Sequence, residues 1–214
     1  MRLYVWNPYP YTQDRFSAGA GVGEWKFACG YPVSITICHY LASTSNYVLV
    51  YDSPSNKGLF AYTDSDWAQD PIKRWSTTGY FFKLANGIIS WQSRSQKTVV
   101  LLSTEVEYMA LSDCSWQAIW MKTVFAEIGM PLGPIPICGD NKGSIFISNN
   151  SVQEGHSKHI DIHYHYVREC IEENKITIYF VNGSHNPTDL LTKNLGQTKF
   201  EYFRKQLGLE FYSP

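Results

Sequence analysis

The chain has 214 residues, 44% of them hydrophobic, and a net charge of -1. That supports one folded domain, or one domain plus part of a neighbour, and excludes a disordered tail. It also excludes a strongly basic, non-specific nucleic-acid binder, so contact with a polyanion has to use local basic patches or metal ions.

Cys29, Cys38, Cys114, Cys138 and Cys170 are scattered, odd in number and without C-x-x-C spacing. This argues against a disulfide scaffold or a structural zinc site and for a reducing, intracellular setting. The start, "MRLYVWNPYPYTQDRF", lacks the apolar run and cleavage pattern of a signal peptide. No stretch approaches the ~20 apolar residues of a membrane span.

In chain order, residues 1–57 are rich in Tyr, Gly and Pro and read as a divergent or truncated extension, with one candidate strand in "NYVLVYD". "LFAYTDSD" alternates like a strand that ends in acids. "TGYFFKL" and "IISWQS", joined by "ANG", read as a β-hairpin with Asn86-Gly87 in the turn. "STEVEYMALSDCSWQAIWMKTVFAEIGM" is a long helix that stops at Gly129. "IPIC" is a short buried strand before Asp140, and "NKGSIFISNN" a short helix after it. "SKHIDIHYHYVRECIEENK" is a second long helix, and "ITIYFV" a strand. "NPTDLLTKNL" opens a helix with Asn186 as N-cap and Pro187 at its first position. "TKFEYFRKQLGL" is a last helical piece. The order predicts a mixed sheet, antiparallel first and parallel later, with helices on its faces. The expected division is an extension over 1–57, an α/β domain over 58–196 and a helical tail over 197–214.

The long helix carries Glu105 and Glu107 near its start. On a wheel of about 100° per residue, Ala110, Leu111, Cys114, Ala118, Met121, Phe125 and Ile128 lie within roughly 60° of Glu107. Glu105 falls on a mixed face with Ser112, Trp116, Ile119 and Thr123 and reads as solvated. Glu107 therefore sits at the mouth of the apolar stripe, where a lone carboxylate is costly to desolvate. Two readings stay open. Thr104-x-x-Glu107 matches a capping box; alternatively, Glu107 faces a cleft shared with other acids and a cation. Asp64 at the end of the first sheet strand, Asp140 after "IPIC" and Asp189 in the last-strand helix supply such acids. Each has a plain alternative as a turn residue, an N-cap or a partner of the helix dipole. Strand ends on one edge of a mostly parallel sheet converge on one crevice, however, and carboxylates gathered there need a divalent cation between them.

The run "YTDSDWAQDPIKRWSTTGYFFKLANGIISWQSRSQKTVVLLSTEVEYMALSDCSWQAIW" closely resembles the ribonuclease H domain of copia-type retrotransposon polyproteins, as do "GDNKGSIFISNN", "HSKHIDIHYHYVREC" and "NPTDLLTKNL". "HYLASTSNYVLVYD" is similar to the segment that joins reverse transcriptase to that domain. The resemblance implies a ribonuclease H-like α/β fold, a five-stranded mixed sheet flanked by helices. It implies hydrolysis of the RNA strand of RNA–DNA hybrids by two Mg2+ ions, with Mn2+ as a substitute, leaving 5′-phosphate and 3′-hydroxyl ends. The family's acidic set carries over to Asp64, Glu107, Asp140 and Asp189. Asp64 would bridge both ions, and Asp189 would serve the side of the attacking water. His185 lies in the loop where many ribonucleases H keep an assisting histidine, although copia-type sequences often lack one there. Expected partners are the hybrid and a reverse transcriptase domain of the same polyprotein, in the cytoplasm, a particle or the nucleus, with no membrane.

Lys73, Arg74, Lys83, Arg94 and Lys97 cluster around the hairpin with Trp75, Tyr80 and Trp91. They suit contacts to phosphates and sugars, or equally an ordinary solvated hairpin face. Of these, Lys73, Arg74, Arg94 and Lys97 are the candidates for substrate binding. His156, His159 and His163 share a helix flank, a face a transition metal could use but that more often packs against a neighbour. An integrase-type nuclease is disfavoured because its glutamate follows the second aspartate. The competing function class is a catalytically silent retrotransposon remnant kept for structure or interaction.

Overall fold

A computed structural model describes residues 38, 41–42, 44–51, 58–67, 75–96, 102–149 and 158–212, with side chains of the last segment from residue 162 onward. The strands are β1 (Tyr47–Leu49), β2 (Phe60–Asp66), β3 (Ser76–Leu84), β4 (Gly87–Gln96), β5 (Ile135–Gly139), β6 (Ile176–Phe180) and β7 (Leu209–Phe211). The helices are α1 (Ser103–Glu127), α2 (Lys142–Asn149), α3 (Lys158–Glu172), α4 (Asp189–Thr192) and α5 (Gln197–Gln206).

Five strands form one sheet in the order β4-β3-β2-β5-β6. The pairs β2–β3 and β3–β4 are antiparallel, and β2–β5 and β5–β6 are parallel. This is the α/β architecture the sequence predicts, antiparallel where a hairpin joins the strands and parallel where helices do. The hairpin turn is shifted by one residue from its expected place. Ala85 and Asn86 hold the positive φ angles of 47° and 67°, and Gly87 already pairs with Leu84. A two-residue turn with both φ positive matches the twist of the flanking strands.

Helices cover both faces of the sheet. On one side Ala61, Phe82 and Ile137 of the sheet meet Leu111, Cys114 and Ala118 of α1 and Val167 of α3. On the other, Phe81 and Ile88 meet Leu190, Leu191, Phe203 and Leu207. The stripe drawn around Glu107 is buried from Ala110 to Met121, while Ile128 at the helix end is exposed. Ser112, placed on the mixed face, is also fully buried, because α3 packs there and His163 Nδ1 lies 2.8 Å from its hydroxyl. His156 and the side chain of His159 lie outside the described residues, so His163 alone of that flank has an observed contact. Trp116 is exposed and stacks on Tyr166 with ring centroids 4.0 Å apart.

A separate two-stranded sheet pairs β1 with β7, antiparallel from Tyr47↔Phe211 to Leu49↔Leu209. Neither β7 nor the full burial of Phe203 on α5 is part of the expected helical tail. Among the described residues, no helix is long and apolar enough to cross a membrane.

Candidate metal centre

β2 delivers Asp64 to the site. The strand runs on to Asp66, so neither acid is a turn residue. Asp64 is fully buried and opposite Gly79 on β3. A Cβ at Gly79 would lie 2.7 Å from Thr192 Cγ2 and 2.9 Å from Leu191 Cβ. The missing side chain therefore lets α4 press against the sheet beside Asp64. Two contacts result. The Thr192 hydroxyl donates a short hydrogen bond to Asp64 Oδ2, and Lys193 Nζ lies 3.2 Å from Asp64 Oδ1.

Glu107 enters from α1. The helix starts at Ser103 with Leu102 as N-cap and has no side-chain cap, so the capping-box register is not used. Glu107 instead turns to the sheet and is hydrogen-bonded by Ser65. Glu105, expected to be solvated, is half-buried in the first turn. Asp140 follows β5 directly. It is not the cap of α2: Asn141 fills that role, its Oδ1 accepting from Ser144 N–H at 2.9 Å. Gly183 passes so close that a Cβ there would lie 2.7 Å from Asp140 Oδ2.

Asp64, Glu107 and Asp140 each offer a carboxylate oxygen within 4.8 Å of the others. Burial drives the Asp64 carboxyl up to about 7; Lys193 and Thr192 oppose the rise, and Asp140 and Asp189 add to it. Burial pushes Glu107 well above the carboxylate range, and the charges of Asp64 and Asp140 push it further. Asp140 is also raised, first by burial, with Lys193 and a hydrogen bond from Asn186 working against the rise. Groups that repel one another and resist ionisation are short of positive charge. An all-oxygen donor set is the chemistry that suits a hard divalent cation such as Mg2+.

Asp189 is near this cluster but outside the trio. It is almost fully buried, and both of its oxygens are taken, Oδ1 by Lys193 at 2.6 Å and Oδ2 by Lys199 at 2.5 Å. Burial works against the Lys193 charge, but Asp64 and Asp189 more than offset it and hold its pKa above the usual lysine range. Asn186 is not the N-cap of a helix that begins at Pro187. Its Oδ1 accepts from Thr188 N–H at 3.2 Å in a turn ahead of α4, and its amide donates to Thr63 O at 3.0 Å.

Lys193, Thr192, Lys199, Ser65 and Asn186 are site residues that the sequence reading missed. A lysine four residues after Asp189 was a usable signal, because that spacing puts the two on one helical face. His185 is exposed in a 3-10 turn (Gly183–His185), with Nδ1 3.0 Å from Ser184 Oγ. It lines a cavity of about 490 Å3 with Tyr62, Lys83, Val181, Pro187 and Lys205. Arg94 is ion-paired with Asp113 at 2.5 Å. Lys73, Arg74 and Lys97 lie outside the described residues.

No family model matches the chain. The retrovirus-related Pol polyprotein of transposon TNT 1-94 from Nicotiana tabacum is 36% identical over 173 residues, 81% of this chain and 13% of that protein. The corresponding polyprotein of transposon RE1 from Arabidopsis thaliana is 34% identical over 83% of this chain and 12% of its own length. The chain is homologous to a segment of transposon Pol polyproteins. It spans only about an eighth of those relatives. Among solved structures, the RNase H1 of Halobacterium salinarum NRC-1 aligns at 16% identity with a TM-score of 0.43, covering 64% of this chain and 95% of that one.

Proposed function

We propose that the chain is the ribonuclease H unit of a retrotransposon polyprotein and cleaves the RNA strand of RNA–DNA hybrids with Mg2+. The observation that carries this reading is the convergence of Asp64, Glu107 and Asp140 from β2, α1 and the end of β5 onto one point. The homologous proteins are retrovirus-related Pol polyproteins of transposons, and the acidic set sits in the segments that carry the family resemblance.

Asp64, Glu107 and Asp140 would hold the ion, which supplies the charge that activates water and stabilises the leaving oxygen of a phosphodiester. The protein's own work is positioning. Thr192 fixes the orientation of Asp64, Ser65 that of Glu107 and Asn186 that of Asp140. Hydrogen bonds to the outer oxygens of ligating carboxylates typically change metal affinity or activity 10- to 100-fold. Asp189 would serve a second ion on the water side, with Mn2+ as a workable substitute. His185 would assist from the loop before α4, and Lys73, Arg74, Arg94 and Lys97 would hold the hybrid backbone.

The test is cleavage of labelled RNA–DNA hybrid, single-stranded RNA and duplex DNA by the purified chain, with Mg2+ or EDTA. Hybrid-specific, Mg2+-dependent cleavage is expected, with Asp64→Asn slower by more than ~10²-fold, beyond the usual cost of an outer-sphere change. No cleavage by a cooperatively folded chain would overturn the reading in favour of a silent remnant.

A further inference from the structure

We infer that Lys193 is a built-in counter-ion that takes the place of a divalent cation between Asp64 and Asp189 in the hybrid-free chain. This rests on the reading of Asp64, Glu107 and Asp140 as a metal centre.

The charges on either side of Asp64 are balanced differently. Lys193 Nζ spans Asp64 Oδ1 at 3.2 Å and Asp189 Oδ1 at 2.6 Å, and Lys199 Nζ holds Asp189 Oδ2 at 2.5 Å. Asp64 and Asp189 are thus met by two ammonium groups, and every oxygen of the pair has a donor, since Thr192 takes Asp64 Oδ2. Among the described residues, no ion pair ends on Glu107 or Asp140.

An ammonium is a compact point charge with three donors, so it can bridge two carboxylates much as a metal ion does. Its seat here is built in. Gly79 admits α4 to the sheet, α4 places Lys193 four residues after Asp189, and the lysine side chain is only 32% exposed. A divalent ion at Asp189 therefore has to displace Lys193, whereas an ion on the Glu107 and Asp140 side does not. Lys193 acts as a positioning residue that restricts the free chain to one ion seat.

Mn2+ binding, followed by electron paramagnetic resonance on the folded full chain without nucleic acid, tests this apart from activity. The wild type is expected to bind about one ion. Asp140→Asn should weaken that binding at least ~10-fold, and Asp189→Asn should change it by less than about threefold. Lys193→Met should gain a second Mn2+, and Lys193→Met combined with Asp189→Asn should lose it again. Equal losses in Asp140→Asn and Asp189→Asn would overturn the inference and leave the metal centre standing. So would a folded Lys193→Met that still binds one ion. If Lys193→Met does not fold, the Asp140→Asn and Asp189→Asn pair decides alone. A wild type that binds no Mn2+ would overturn both the inference and the reading beneath it.

Discussion

Two halves of one acidic site handle the same problem in different ways. Around Asp189 the carboxylates are neutralised from within, by Lys193 and Lys199. Glu107 and Asp140 are hydrogen-bonded by the neutral Ser65 and Asn186, the charge of Lys193 reaches them without a direct ion pair, and burial keeps both carboxyls above the ordinary range. The first half is a structural ion-pair network that stands in the absence of metal. The second holds desolvated carboxyls close together without a direct ion pair. A carboxylate buried against its counter-charge can stand without metal, and one buried without a direct ion pair leaves room for a cation.

Breaking the first half should give the largest change in stability. Asp189→Asn removes the charge that Lys193 and Lys199 share and leaves two ammonium groups facing a neutral amide. The loss from a broken buried pair is 3–5 kcal/mol; because both lysines keep partial access to water, about 2–3 kcal/mol is expected, measured by urea denaturation without metal. A loss under about 0.5 kcal/mol would mean that the network carries no stability.

Gly79→Ala sharpens the comparison by separating the halves mechanically. The added methyl collides with Leu191 and Thr192, so α4 has to move off β3. Overpacking of this kind costs about 1–3 kcal/mol. The Asp64 contacts to Thr192 and Lys193 should loosen with it, so hybrid cleavage should fall more than stability alone explains. Unchanged cleavage in the folded variant would show that α4 does not position Asp64.

The opposite sign is expected on the other half. Glu107→Gln removes an unpaired, desolvated charge and should stabilise the metal-free chain by about 1 kcal/mol while abolishing cleavage. The pH dependence follows the same logic. Asp64 titrates near 7 in the folded chain and near ~3.9 when unfolded. Between those values the folded state binds more protons, so metal-free stability falls as pH rises from about 4 to about 7. Glu107 acts in the same direction. Thermal melts at pH 5 and pH 7.5 in EDTA should show the drop, and Mg2+ should remove most of it. A metal-free melting temperature that rises over this range would contradict the account.

The sheet was legible in the sequence because its period-2 strands and the 3.6-period α1 are strong signals that tertiary contacts reinforce. The wheel separated Glu107 from Glu105 because the apolar stripe is continuous from Ala110 to Met121. It misjudged Ser112 because α1, packed between the sheet and α3, is buried over more than one face, and a wheel assumes a single one. The capping box failed because α1 has Leu102 as its N-cap, two residues ahead of the Thr104 that the motif requires. The lysines were missed for another reason. The Asp189–Lys193 spacing hints at one ion pair, but the approach of Lys193 to Asp64 depends on Gly79 letting α4 reach β3, a contact between residues more than a hundred positions apart that no local pattern encodes.

The smallest effect is expected at Arg94, and it distinguishes a third kind of charge from the two at the site. Arg94 pairs with Asp113 as Lys193 pairs with Asp189, but its side chain is 55% exposed and water screens it. Arg94→Ala should therefore cost no more than about 0.5 kcal/mol of stability. If the guanidinium meets a phosphate of the hybrid, the variant should bind hybrid more weakly, with a salt dependence shallower by about one ion. Stability and salt slope that both stay at wild-type values would assign Arg94 to the solvated face of the hairpin. A large loss of stability would put it with Lys193 instead, which its exposure argues against, because a charge that keeps its water has little to lose when its partner is removed.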